Sequence, residues 1–385
     1  MRIALVVGKY HAAGGGAERW TDRHARYLLS QGFDVDLIAR SFHGPPEQTR
    51  CHEVVTRAGW GRRLQWASAV ERKLQQEKFD VVHDMGDTWS GDLFMPHHGS
   101  RQAGLDQNLQ LIPPALRPLQ AIFHQTLPRY REFAELERRQ YSAPRSTRFV
   151  AISQKVARDM QDRHGVPAER IDLVYNGIDT SRFTPGDGSA LRQQWGWDDR
   201  TIFLLVAHNF RLKGLGESIR ALATLAKNGE KVAFVVAGNG RESAYRPLLN
   251  RLGCSERVRF LGNVQDVVTV FRAADVYVQP THYDPCSLVV LEALACGKPA
   301  ITTSVNGASE LMTSAMGEVI SSPGDHLALV QAMNRFLDPR ERALAGQAAR
   351  DAMGRHTLAR NSDEIISLYH RSRRDGLAWP SSPAA

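Results

Sequence analysis

Cysteine is scarce, four in 385 residues. Cys51, Cys254, Cys286 and Cys296 make no C-x-x-C pair and no metal-ligand spacing, which argues against a disulfide scaffold or structural zinc and for a reduced, cytoplasmic protein. Long apolar runs are missing as well. No stretch approaches the roughly 20 residues of a membrane-spanning helix. Met1–Gly8 gives way at once to polar and charged sequence, as a buried first strand does and a secretory leader does not. No internal repeat stands out at a solenoid period. Positive charge is in surplus, +8 at pH 7, which favours an acidic partner and leaves a phosphorylated glycan, an anionic membrane and nucleic acid all open. An apolar fraction of 42% over this length suits two domains, each with its own core.

Short apolar runs alternate with helical patterns. Arg2–Val7 leads into a loop with Gly14, Gly15 and Gly16, and a helix pattern follows from Glu18 through Leu29. Strand, glycine loop and helix open a doubly wound sheet, and the glycines let backbone approach a phosphate closely; a ligand-free turn is the plain alternative. Arg19 stands where the dinucleotide fingerprint needs its third glycine, which disfavours an oxidoreductase. Further strands read at Asp34–Ala39, Phe79–His83, Leu93–Met95 and Thr147–Ser153, with a helix between Trp60 and Gln76. Asp34 and Asp36 spell D-x-D, yet they lie inside a strand pattern, so alternation explains them better than a metal. His97 and His98 follow Leu93–Met95 at the sheet edge where open α/β sheets bind ligands; either imidazole would suit a sugar hydroxyl or the charge developing at a reacting carbon.

Residues 101–148 carry eight arginines against four acids, interleaved with Leu116, Leu119, Ile122, Phe123 and Leu127. Such a basic amphipathic segment fits an anionic membrane surface, or a helix pair on the sheet with a solvated basic face. No recognised nucleic-acid module accompanies it, so nucleic acid is not expected as a partner. A turn-rich crossing at Val174–Phe183 leads to a second alternation: Ile202–Val206, Val232–Ala237, Val258–Leu261, Val276–Gln279 and Ala300–Thr302. Gly238–Asn239–Gly240 reads as a tight turn. Helix patterns at 326–337, 340–355 and 358–371 follow. The expected division is 1–174 with a returning helix at 358–372, 175–357, and a loose tail at 373–385.

Thr281–Leu311 is the most informative stretch. A strand run feeds a polar turn, and Leu288, Leu291, Glu292 and Ala295 recur at helical spacing. A helix starting near Ser287 presents backbone N–H groups, from Cys286, Ser287, Leu288 and Val289, to an anion. Asp284 and Glu292 flank that seat. Phosphate would repel them, so uncharged hydroxyls suit them: Glu292 for a ribose, Asp284 for a hexose. That describes a nucleotide sugar.

Acid, seven residues, then Glu, with P-x-S-L between and LEALACGKP after, closely resembles the donor-binding signature of retaining family-4 glycosyltransferases of the GT-B fold. The resemblance implies two Rossmann-like domains facing a cleft and a C-terminal helix crossing back. GGGAER resembles the family's GG-x-E loop at the donor diphosphate, which implies donor contacts from Gly15 and Gly16. His98–Gly99 matches its HG, and His97 is the adjacent alternative. Lys213–Gly214 matches its Lys-Gly, which implies a cation for the leaving diphosphate, while His208 replaces the family arginine and Arg211 is the candidate substitute. Phe260–Val264 resembles FLG-x-V and implies that Val264 packs on the base. GKY with Lys9, Arg19 and LPRYREFAELERRQY are similar to lipopolysaccharide-core glucosyltransferases acting on heptose, which places Lys9 and Arg19 near an acceptor.

The expected activity is therefore retaining transfer of a hexose, glucose by this resemblance, from a nucleotide diphosphate (UDP) to a hydroxyl of a lipid-linked or cell-surface glycan acceptor. No metal or other cofactor is expected, and the protein would sit peripherally on the inner membrane face. His98, Lys213, Asp284 and Glu292 would carry catalysis. A nucleotide-sugar epimerase of the same fold and a non-catalytic glycan- or phospholipid-binding protein are the rival readings.

Overall fold

The computed structural model describes residues 1–12, 14–56, 61–142 and 147–373. Trp60, Arg145 and the tail expected beyond Arg373 therefore lie outside the described residues. The chain divides into two compact units, 1–177 with 358 onward, and 178–357.

The first unit is built on seven strands: β1 (Arg2–Val6), β2 (Asp34–Ala39), β3 (Arg50–Glu53), β4 (Val81–Asp84), β5 (Leu93–Phe94), β6 (Arg148–Ala151) and β7 (Ile171–Leu173). Their order is β3-β2-β1-β4-β5-β6-β7, and every pairing is parallel. Parallel sheets are covered on both faces, so central strands read as unbroken apolar runs; Ile3 to Val6 are all fully buried. α1 (Gly16–Ser30) and α2 (Arg62–Gln76) cover the sheet, with Trp66, Val70 and Leu74 packing on Phe79 and Val82. β3 and β7 escape the sequence pattern: RCHE has no apolar periodicity, and Ile171–Leu173 is only half-buried at an edge.

β3 explains the D-x-D. Plain alternation does not: Asp36 is completely buried. Arg2 grips it with Nε at 2.9 Å and Nη2 at 2.7 Å, and His52 on β3 meets it at 2.6 Å. Burial alone would push this carboxyl up; the hydrogen bonds from His52 and Arg2 overcome that and hold it at about 2. Asp36, His52 and Glu77 lie close enough to share a cation, but arginine already occupies this acidic group.

Residues 101–141 fold as three helices, α3 (Arg101–Gln110), α4 (Arg117–Thr126) and α5 (Pro128–Tyr141). α4 leaves Leu119, Ile122 and Phe123 exposed, with Leu116 and Leu127 at its ends. α6 (Gln154–His164) follows β6.

The second unit holds β8 (Thr201–Val206), β9 (Val232–Ala237), β10 (Val258–Gly262), β11 (Val276–Gln279), β12 (Ala300–Thr303) and β13 (Gly317–Ile320), in the order β10-β9-β8-β11-β12-β13, again all parallel. Strand order reverses direction between β8 and β11, where doubly wound sheets open a binding crevice at their carboxyl ends. Its helices are α7 (Ser189–Trp195), α8 (Leu215–Lys227), α9 (Arg246–Leu252), α10 (Val267–Ala273), α11 (Leu288–Ala295), α12 (His326–Arg335) and α13 (Pro339–Met353).

α14 (Leu358–Ser372) returns to the first unit. Trp20 donates its indole N–H to Asn361 at 2.8 Å. His24 meets Ser362 at 3.0 Å and the Tyr369 hydroxyl at 2.8 Å, and His83 meets the same hydroxyl at 2.7 Å.

Candidate functional site

In the second unit the site grows from two loops locked together. Gly214 closes the turn after β8 at φ +77°, and a Cβ there would fall 2.1 Å from the Pro280 carbonyl oxygen. Only glycine permits that approach. It brings the turn against the loop after β11: Thr281 Oγ1 and the His282 N–H both donate to the Leu212 carbonyl, at 3.0 and 2.8 Å. Lys213 then reaches across, with Nζ 2.6 Å from Asp284 Oδ2 and 3.2 Å from the Tyr283 carbonyl. The lysine and the acid singled out separately in the sequence are thus one ion pair.

α11 begins where its spacing says. Ser287 is its N-cap, Oγ accepting the Val290 N–H at 3.4 Å. The Ser287 N–H goes to Asn306 Oδ1 at 3.2 Å. Leu288 and Val289 are the remaining first-turn residues, whose N–H groups have no intrahelical acceptor. Glu292 lies one turn on and is only 2% exposed, while Asp284, Cys286 and Ser287 are buried beside it. Burial, reinforced by the Glu292 charge, pushes the Cys296 thiol up to about 12, so it stays an inert thiol.

The neighbouring turns are partly structural. A Cβ on Gly238 would fall 1.8 Å from the Ala207 carbonyl oxygen, so packing alone explains the GNG turn. Val264 follows β10 half-buried, and His208 and Arg211 are both exposed on the turn after β8.

In the first unit the loop after β1 ends at Gly15, the N-cap of α1, which starts at Gly16 rather than Glu18 and has no side-chain cap. The Glu18 carboxylate lies over Gly15. Lys9 is exposed and Arg19 half-buried. His97 and His98 follow β5. The His97 ring lies 4.6 Å from that of Trp20, which ties it to the buried histidines of the α14 contact. His98 is different. Both its ring nitrogens are buried with no hydrogen-bond partner among the described residues, and Gly86 leaves just enough room for its ring. Burial, aided by the Arg101 charge, pushes His98 well below its ordinary value. A neutral imidazole hydrogen-bonds a hydroxyl; it brings no positive charge to a reacting carbon. Arg101 itself donates to the Gly86 carbonyl at 3.1 Å.

The sequence reading missed Gln279, Tyr277 and Asn306, all fully or almost fully buried under the Asp284 loop. Asn306 lies in the stretch with the strongest motif, and an amide after a short strand, where it can cap a turn, was its only signal.

Comparison with known proteins supplies the context. Residues 14–182 match the family model described as Glycosyltransferase Family 4. Residues 187–352 match that described as Glycosyl transferases group 1. The chain is 24% identical over 381 residues to the lipopolysaccharide glucosyltransferase WaaG of Escherichia coli K12, covering 95% of this chain and 99% of that one. It is 25% identical over 323 residues to alpha-D-kanosaminyltransferase of Streptomyces kanamyceticus, covering 80% and 81%. Among solved structures, that of WaaG superposes with a TM-score of 0.81 at 22% identity, covering 95% of this chain and 99% of that one. Anabaena Alr3699/HepE in complex with UDP and glucose gives 0.72 at 18%, covering 96% and 99%.

Proposed function

The chain belongs to the glycosyltransferases of the GT-B fold, and on that premise we propose that it transfers a hexose, with retention, from a nucleotide diphosphate sugar to a glycan hydroxyl. The observation that carries this reading is the cluster in the second unit: Lys213 paired with Asp284, beside the capped start of α11 and the buried Glu292. In this reading the Leu288 and Val289 amides and Lys213 receive the diphosphate, Glu292 the ribose, Asp284 a sugar hydroxyl, and Val264 the base. Gly15, Gly16 and the exposed Arg211 add donor contacts, with Arg211 standing in for the residue that His208 replaces. The choice of glucose and UDP is supported by the similarity to a lipopolysaccharide glucosyltransferase and to a protein solved with UDP and glucose. A lipopolysaccharide-core or other surface glycan is the acceptor on the same ground, held by the first unit with His98 on its hydroxyl and Lys9, Arg19 and His97 nearby.

The reaction assigns no covalent nucleophile. Asp284 is engaged by Lys213, and Glu292 is enclosed within the second unit. The acceptor oxygen attacks the anomeric carbon from the face the diphosphate leaves; the carbon–oxygen bond to phosphate breaks, and the departing phosphate oxygen takes the acceptor's proton. Fixed donors aimed at that developing charge are the main catalytic contribution, so the reaction as proposed calls for no metal. α4, with its exposed apolar residues inside the arginine-rich stretch 101–148, would hold the enzyme peripherally on an anionic membrane face.

A thermal-shift screen of nucleotide sugars tests donor binding, since a ligand bound only by the native state raises the apparent melting temperature. Incubation with labelled UDP-glucose, with and without lipopolysaccharide acceptor, then tests the chemistry. Acceptor-dependent transfer is expected. Epimerised donor without acceptor would establish the epimerase reading instead, and unchanged donor in both arms a binding protein.

A further inference from the structure

Gln279 ends β11 with 1% of its surface exposed, and no role assigned above uses it. Its amide joins the two halves of the second-unit cluster. Nε2 donates to Asp284 Oδ2 at 3.1 Å, while Oε1 accepts from the hydroxyls of Ser287 and Tyr277, each at 3.0 Å. The carboxylate fixes the orientation: turned over, the amide would set its oxygen against Asp284 Oδ2 with no donor between them.

Asp284 Oδ2 therefore has two internal donors, Lys213 and Gln279, while no donor among the described residues meets Oδ1. The two donors differ in kind. Lysine is a point charge on a flexible stem, and a diphosphate arriving at the α11 start competes for it. A neutral amide held at three points does not follow. We propose that Gln279 is a positioning residue for sugar recognition: it keeps the Asp284 carboxylate in place, with Oδ1 presented to a hexose hydroxyl, when Lys213 turns to the donor's diphosphate. This rests on Asp284 addressing the sugar, as proposed above.

The test separates sugar from nucleotide. Calorimetric titrations use glucose diphosphates of uridine, guanosine and adenosine, each beside the free nucleoside diphosphate, on the wild type and two variants. Gln279→Leu should weaken the accepted sugar nucleotide about tenfold and its free diphosphate less than twofold. Gln279→Glu keeps the shape and still accepts from Ser287 and Tyr277, so it covers the case in which the leucine variant does not fold. It should show the same sugar-specific loss at pH 8 and recover as pH falls, since a proton shared between two facing carboxylates restores the donor. Equal losses for sugar nucleotide and free diphosphate, no loss for either, or no recovery in acid would overturn the role of Gln279 and leave donor binding standing. A wild type that binds none of the probes would overturn both.

Discussion

At the scale of single residues, the site is an arrangement of charges that must not be left unpaired. Lys213→Met removes the cation proposed for the leaving group, and a lost donor of that kind costs about 10²–10³ in kcat; steady-state kinetics with the identified donor measure it. Glu292→Gln keeps the packing of a buried side chain but loses the charged acceptor. A charged hydrogen bond is worth about 1.5–3 kcal/mol, so KM for the donor should rise by at least about tenfold with a smaller change in kcat. His98→Ala should do the opposite. It removes one neutral hydrogen bond, so kcat falls by about tenfold at unchanged donor affinity, and equal effects on both constants would contradict its placement at the acceptor. Lys213, Ser287 and Glu292 were legible because they sit at fixed distances from a helix start, and a helix start has a readable grammar. Gln279 was not, since nothing in a buried amide at a strand end announces which carboxylate it will meet.

At the scale of elements, two loops depend on one glycine, and one helix docks on two imidazoles with a third beside them. Gly214→Ala forces a side chain into both a left-handed backbone and the Pro280 carbonyl. It should lower stability by more than about 1 kcal/mol and part Lys213 from Asp284, seen as a lower urea midpoint together with weaker donor binding. In the first unit, burial lowers His24 to about 3 and His97 to about 4, and takes His83 well below its ordinary value. These groups stay neutral when folded and charge when unfolded. The unfolded chain therefore binds more protons below 6.5, and stability is full above that pH and falls as pH drops toward 4. Each such imidazole contributes a slope of up to about 1.4 kcal/mol per pH unit. Melting temperatures between pH 7.5 and 5 should show this decline, and His24→Gln should flatten it. The central strands were readable from their apolar runs, and the helices to within a few residues. β3 was not, because its reason for existing is Asp36 on the adjacent strand, a partner no local pattern contains.

At the scale of the whole molecule, charge and apolar surface concentrate in one region. Leu119, Ile122 and Phe123 are 53%, 54% and 43% exposed, so replacing Leu119 and Phe123 with aspartate should leave the melting temperature nearly unchanged. Co-sedimentation with phosphatidylglycerol vesicles should fall sharply in that double variant, and in the wild type it should weaken with added salt. Equal retention of both proteins would remove the membrane role from α4. The GT-B architecture was evident from two rounds of strand–helix alternation and from motifs distributed along both. The acceptor was not, since no spacing connects the isolated side chains, such as His98, that are proposed to meet it.

The discontinuous first unit has a consequence for biosynthesis. A ribosome delivers residues 1–177 long before α14, yet His24 and His83 find their shared hydroxyl only on Tyr369. The second unit, contiguous from 178 to 357, can complete itself while the first still waits for its last helix. The half of the protein translated first is thus the half finished last, and a nascent chain released before Leu358 would carry a finished second unit attached to an incomplete first one.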